Sequence, residues 1–261
     1  MIVAILCGSP HSPYARDILR ELNVRGVRNV HVVAHSRSGA PRTIMSVLAT
    51  HGFAFPLVIL RWIVSRLGLI FKLRSQGSSA SAGTLESDVQ AQGGRLVALP
   101  DVNGEQCQKI LSDLGVDLMI LGGAPIMKAP VLRVPKMGTV NAHQGALPRY
   151  RGMNVIEWAL VERQPPTITV HFVDPGVDTG DIIRMERIPV VVGDSLQTVR
   201  DRSSALQGQL LAETVVAALN GQLPRQTQAK ADGKQFYAMH PFLKAVAEEH
   251  LQDYIRRISP A

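Results

Sequence analysis

A carboxamide and an imidazole stand two residues apart at Asn141 and His143, in a stretch of apolar and small residues. On a β-strand that spacing sends both side chains to the same face. Asn offers a neutral N–H donor, and His donates, accepts or carries a proton near neutral pH. The two together suit a carbonyl whose oxygen turns negative under nucleophilic attack. Gly145-Ala146-Leu147-Pro148 then turns the chain away. Farther on, Asp174-Pro175-Gly176-Val177-Asp178-Thr179-Gly180-Asp181 crowds carboxylates and glycines between two strand-like runs. The glycines permit close backbone approach to a ligand. A carboxylate in such a loop can orient the imidazole, stabilise its protonated form and relay a proton from an amine. Each feature alone has an ordinary structural reading, as strand polarity or as an Asp-Gly hairpin. Asp174, Asp178 and Asp181 do not follow calcium-loop spacing, so no metal is expected. The local pattern reaches carbonyl chemistry and stops there.

Something must hold these groups in place. Short apolar runs at residues 2–7, 30–34, 96–99 and 118–121 read as buried strands. Between them, Ala15, Ile18, Leu19 and Leu22 are spaced for one buried helical face, and residues 107–114 read as a second helix. This alternation predicts an α/β fold, an open, mostly parallel twisted sheet with helices on both faces, Rossmann-like in type. Ligands of such sheets lie at the carboxyl ends of the strands. After Gly138 the spacing predicts strands at 139–143, 167–173 and 182–192, with a helix over 154–162. A long helix over 195–219 is opened by Asp194 and closed by Asn220-Gly221, and a last helix runs over 241–257.

Residues 41–75 break this rhythm. The part from 53 to 71 is strongly apolar but carries Pro56, Arg61 and Arg66. A membrane span needs roughly 20 predominantly apolar residues and tolerates central arginines poorly. Leu60, Ile63, Val64, Leu67 and Phe71 form a helical stripe instead, so an inserted helix or helical hairpin is expected, with no membrane span. Such a stripe also offers an interface for a homo-oligomer. Residues 76–83 read as a loop.

The composition, 46% hydrophobic and 19% charged over 261 residues, supports a sizeable core. A net charge of +7 favours anionic partners, but the charge is scattered and aromatic content is only 5%. No specific nucleic-acid partner is expected. Cys7 and Cys107 form no zinc pattern, and Cys107 sits on a helix as a core residue. The first ten residues lack a basic leader and read as a strand, which favours a cytoplasmic location.

The run Asn141-Ala-His143-Gln-Gly145-Ala-Leu-Pro148-Arg-Tyr-Arg-Gly152, followed by Asp178-Thr-Gly180, resembles the folate-dependent formyltransferase family. That family's catalytic domain is shared by glycinamide ribonucleotide, methionyl-tRNA and sugar N-formyltransferases. The resemblance covers residues 116–219 well. It implies a catalytic domain over 1–222, with the insertion at 41–75, and a short, partly helical extension over 223–261. It also implies N10-formyltetrahydrofolate as formyl donor and an Asn141, His143 and Asp178 triad. Asn141 and His143 would stabilise the oxyanion, and Asp178 would pair with His143 and move the amine's proton. The donor would lie against Gly122, Gly123, Ala124, Pro125 and Ile126 on one side and Asp174, Gly176 and Val177 on the other. Arg149, Tyr150, Arg151 and Gly152 would meet the acceptor, a small primary amine such as an amino sugar or amino-acid derivative. Hydrolysis of the donor, or a non-catalytic folate-binding role, are the alternatives.

The chain departs from the family at three places. Gly145 replaces a usual Ser. Gly8-Ser9-Pro10-His11-Ser12 replaces the glycine-rich phosphate loop of the purine enzymes. Too few residues follow Asn220 for the carboxy-terminal barrel of the methionyl-tRNA enzymes. His171, between Val170 and Phe172, reads as a satisfied, half-buried histidine.

Overall fold

The computed structural model describes residues 1–36 and 83–258. The helical insertion expected at 41–75, with the loop after it up to residue 82, lies outside the described residues. Element order is β1 (Val3–Cys7), α1 (Pro13–Val24), β2 (Val30–His35), α2 (Leu85–Ala91), β3 (Leu96–Leu99), α3 (Glu105–Asp113), β4 (Leu118–Gly122) and α4 (Ala129–Leu132). Then follow β5 (Gly138–His143), β6 (Tyr150–Gly152), α5 (Val155–Val161), β7 (Thr167–Phe172), β8 (Ile182–Arg187), α6 (Leu196–Leu219), β9 (Lys234–Phe236) and α7 (Pro241–Ile258).

Seven strands form one sheet in the order β3-β2-β1-β4-β5-β7-β8. The pairings from β3 through to β5 are parallel, and β7 and β8 join antiparallel. This is the open, mostly parallel sheet that the sequence predicts. Every residue of β1 is buried, because its alternate side chains feed two different cores. Val3, Ile5 and Cys7 join the core under α1 and α6, whereas Ala4 and Leu6 join the core under α3 and α4. A strand covered on both faces has no polar side, which is why it appears in the sequence as an unbroken apolar run.

Local signals set most helix ends. Ser12 caps α1 by accepting from the Ala15 amide at 3.2 Å, a contact worth about 1 kcal/mol. The start of α6 differs from expectation. Ser195 is its cap, in a reciprocal capping box with Thr198. Asp194 stands one residue earlier, accepting from the Val191 amide and from Thr198, and gripped by the Arg202 guanidinium. That guanidinium holds the Asp194 carboxyl down at about 2. Strand β8 stops at Arg187, short of the predicted residue 192. Pro189 follows closely and has no N–H to continue a ladder. No helix among the described residues is long and apolar enough to cross a membrane.

Residues 223–258 belong to the same compact unit as the sheet. Helix α7 buries Ala247, Leu251 and Ile255 in the main core. His250 on α7 also reaches the carbonyls of Leu160 and Val161 at the end of α5. Strand β9 pairs in parallel with β6, matching Tyr150 with Lys234 and Gly152 with Phe236. The sequence reading contains neither strand. Their close approach needs glycine twice. A Cβ on Gly152 would lie 2.2 Å from the Phe236 carbonyl oxygen, and one on Gly233 would lie 1.8 Å from that of Pro148.

Gly152 also has φ +94. Gly152→Ala is expected to cost roughly 1–3 kcal/mol from the backbone alone, and more from the clash with β9. A urea denaturation midpoint unchanged from wild type would contradict this account of the β6–β9 pair.

Candidate active site

The site grows from one alternation. On β5, Val140 and Ala142 point into the core beneath α6, as do Ile168, Val170 and Phe172 on β7. The residues between them, Thr139, Asn141 and His143 on β5 and Thr169 and His171 on β7, share the opposite face. Antiparallel register sets Asn141 across from His171 and His143 across from Thr169. Thr169 fastens the turn after β5, donating to the Gly145 carbonyl at 2.7 Å and accepting from the Leu147 amide at 3.1 Å. A polar stripe is thereby laid over two adjacent strands near their ends.

Asp178 closes the stripe from the loop between β7 and β8. Its Oδ2 lies 3.4 Å from His143 Nδ1 and accepts from the Gly152 amide at 2.9 Å. His143 Nε2 lies 2.7 Å from the Tyr150 carbonyl oxygen. A carbonyl only accepts, so Nε2 carries the proton and Nδ1 is the nitrogen facing Asp178. Strand β6 thus brackets the pair, with one backbone carbonyl on the imidazole and one backbone N–H on the carboxylate. Asp178 itself has φ +52, in the left-handed region.

His171 sits in the middle of this cluster and is 2% exposed, not half-buried as expected. Its Nδ1 donates to the Phe172 carbonyl at 2.6 Å. The bare Nε2 then meets Asn141 Nδ2 at 3.4 Å and lies 3.6 Å from Asp178 Oδ1. The rings of His143 and His171 stand edge-on, 6.3 Å apart. Burial, and secondarily the neighbouring His143, pushes the His171 imidazole down to about 4. His171 is therefore neutral at physiological pH, and it fixes which way the Asn141 amide points. A lone His on a strand carries no such signal; only the register of β7 on β5 reveals it.

Two recesses meet at Asn141. One is lined by Gly123, Ala124, Pro125 and Ile126 after β4, and by Asp174, Gly176, Val177 and Asp178 in the carboxylate loop, with Asn141 and His171 at its end. Gly122 lies beneath it, packed on Ile5. The walls are mostly apolar and the far end is polar, which fits a flat heteroaromatic ring with hydrogen-bonding edges. The second recess is lined by Asn141, His143, Gln144, Gly152, Asn154 and Gln207 together with Ala142 and Val155. Among the described residues, no carboxylate, lysine or arginine lines it.

Other expected contact residues are placed elsewhere. Tyr150 is 1% exposed and its hydroxyl donates to Glu162 at 2.8 Å, while Arg149 pairs with the same carboxylate at 2.7 Å. Arg151 is buried and donates to the Gln228 side chain at 3.1 Å and to the Ala229 carbonyl at 3.3 Å. Of the run Arg149 to Gly152, Gly152 is the residue that lines either recess beside Asn141. The three loop aspartates have separate partners. Asp174 holds the Gly176 amide and the Thr179 hydroxyl, and Asp181 lies 3.7 Å from Arg225. Cys107 is buried in the α3 core, which pushes its thiol up to about 11. Gly145 is forced by its surroundings. A Cβ there would come within 2.7 Å of the Tyr150 carbonyl oxygen and 2.9 Å of His143 Nε2.

Residues 96–215 match the family model described as formyl transferase. A methionyl-tRNA formyltransferase of Phocaeicola vulgatus is 33% identical over 155 residues, covering 55% of this chain and 48% of that protein. The chain thus spans about half the length of the curated relatives it matches. Among solved structures, glycinamide ribonucleotide transformylase 1 from Symbiobacterium toebii superposes with a TM-score of 0.57 at 19% identity, covering 87% of this chain and 93% of that one. An N-formyltransferase from Helicobacter canadensis, solved with folinic acid and dTDP-3-aminofucose, gives a TM-score of 0.57 at 13% identity, with coverage of 97% and 82%. At these identities the two structures share a fold with this chain.

The buried His171 makes stability depend on pH. An unfolded chain takes up the His171 proton near 6.5, whereas the folded protein resists it until about 4. The unfolded state binds more protons in that window, so this contribution weakens stability as pH falls from 6.5 towards 4, by roughly 1.4 kcal/mol per pH unit at most. Urea denaturation across this range should show the decline, and His171→Asn should flatten it. Equal slopes for the two proteins would remove His171 as the cause.

Proposed function

We propose, from the match of residues 96–215 to the formyl transferase family model, that the chain moves a formyl group from N10-formyltetrahydrofolate to the primary amine of a small molecule. The observation that carries this reading is the convergence of Asn141, His143 and Asp178 at the junction of two recesses. The recess between residues 123–126 and 174–178 would hold the folate ring, its apolar walls against the ring faces and its backbone groups at the ring edges. The folate supplies a formyl group on nitrogen, open to attack by an amine.

The chain's own groups then divide the work. One N–H of Asn141 is directed at His171, which leaves the other to meet the charge that builds on the formyl oxygen. His143 has its free lone pair at Nδ1, facing Asp178. As the amine nitrogen bonds the formyl carbon, this pair receives the amine's proton, giving an imidazolium held by a carboxylate, and returns it to the folate nitrogen as the bond from that nitrogen to the formyl carbon breaks. The positive ring beside Asn141 adds to the field at the oxygen. Asp178 keeps the pair together without being free to swing, because the Gly152 amide holds its Oδ2.

The second recess supports an amino sugar over a carboxylate-bearing amine. Its side-chain polarity is that of carboxamides, Asn141, Gln144, Asn154 and Gln207. Such groups pair with hydroxyls and offer no countercharge to an acid.

Calorimetric titration with 5-formyltetrahydrofolate, a stable analogue of the donor, is expected to show saturable binding that persists in His143→Ala. Formyl transfer to amino sugars should fall about 100-fold or more in Asn141→Ala, with Asp178→Asn as the control for proton transfer. Absence of binding at millimolar ligand would overturn the reading. Gly145→Ser, which installs the residue usual in the family, is expected to lower turnover here by displacing His143 from the Tyr150 carbonyl. An unchanged rate would show that the turn has room.

A further inference from the structure

Residues 223–236 lie beyond the stretch that matches the formyl transferase family, yet they run directly against the site. After α6 the chain passes beside β8, where Ile182 and Gln226 exchange backbone hydrogen bonds of 2.8 and 2.9 Å. Arg225 lies over the Phe172 ring, 3.5 Å from its centroid. Gln228 comes next and is 8% exposed. Its Nε2 donates to the carbonyls of Asp178, at 3.3 Å, and Gly180. Its Oε1 accepts from Arg151, whose guanidinium also reaches the Ala229 carbonyl. The chain then enters β9 and pairs with β6.

One buried carboxamide therefore ties the loop that carries Asp178 to the strand that carries Tyr150 and Gly152. Asp178 needs such a tie. Its left-handed backbone is unfavourable for a residue with a Cβ and persists only when surrounding contacts hold it. The two N–H groups of Gln228 fix the carbonyls on either side of Thr179, and this sets the direction of the Asp178 carboxylate towards Gly152 and His143.

We propose that Gln228 is a positioning residue for formyl transfer and that the segment after α6 is a working part of the active site. The proposal rests on the functional reading above. It assigns Gln228 no contact with either substrate; it acts through Asp178. Misplacement of a reacting group by about 1 Å is able to cost on the order of 100-fold in rate.

Gln228→Glu separates this role from plain packing. A carboxylate keeps the partner for Arg151 and loses both donors to the Asp178 loop. The variant is expected to fold cooperatively, with a melting temperature lowered by the two lost hydrogen bonds, and to retain saturable binding of 5-formyltetrahydrofolate. Its kcat should fall at least tenfold while acceptor KM stays within about twofold. The groups facing His143 are Asp178 and His171. With Asp178 no longer aligned, the NMR resonances of the His143 ring at a fixed pH should move from their wild-type positions. Gln228→Asn, one methylene short of the loop, should show the same two effects.

A folded Gln228→Glu with wild-type kcat and unmoved His143 ring resonances would overturn the proposal. Loss of folding in both variants would also overturn it, by making Gln228 a structural residue. If the wild-type protein neither binds the folate analogue nor transfers formyl, the functional reading fails by itself. The NMR comparison of the His143 ring then still decides whether Gln228 aims Asp178.

Discussion

A carboxylate placed beside two imidazoles in a nearly closed site has to be given donors, since removing a charge from water without partners costs several kcal/mol. Asp178 receives the Gly152 amide, and the His143 ring beside it becomes a second donor once its Nδ1 takes up a proton. Much of the remaining local structure follows from supplying these. Strand β6 exists as three residues because its backbone must face two ways, offering Tyr150 oxygen to His143 and Gly152 nitrogen to Asp178. A strand that short has no stability alone. It is kept by β9, by the aromatic packing of Tyr150 and Trp158 on Phe236, and by Arg151 on Gln228.

The change from parallel to antiparallel pairing at β5 has a related cause. The parallel half of the sheet is covered on both faces and so has apolar strands. Beyond β4, strands β5 and β7 turn Thr139, Asn141, His143, Thr169 and His171 to the face opposite α6. An antiparallel neighbour is one that tolerates a face of this kind. The polar stripe lies where the sheet turns antiparallel, and Thr139, His143, Thr169 and His171 are buried there.

This explains what could be read from the sequence. The strands β1 to β5, helix α1 with Ala15, Ile18, Leu19 and Leu22 buried, and the long α6 all follow from local periodicity. Asn141 and His143 were legible because strand alternation acts over two residues. The chain end of β8 was overrun, because a single proline weighed less in the pattern than the run of valines at Val190, Val191 and Val192. The short strands β6 and β9 were invisible, because their pairing is made by backbone groups across a long separation and by two glycines that carry no periodic signal. The full burial of His171, and the tie made by Gln228, carry no local signal for the same reason. Each owes its place to a partner distant in sequence, and the type of residue is compatible with many roles.

The two histidines show how environment divides one residue type into two tasks. Asp178 lies within 3.4 Å of His143 Nδ1 and 3.6 Å of His171 Nε2, so either ring is close enough to take its charge. Both rings cannot be positive at this distance without repelling each other. Burial, with the neighbouring His143, holds His171 neutral, and the Phe172 carbonyl keeps its proton on the nitrogen that points away from Asp178. On the proposed mechanism this leaves Asp178 to support a positive His143, and leaves His171 to hold the Asn141 amide. A site with one carboxylate and two free imidazoles would scatter the incoming proton between them. Fixing one ring as a neutral acceptor directs it to the other.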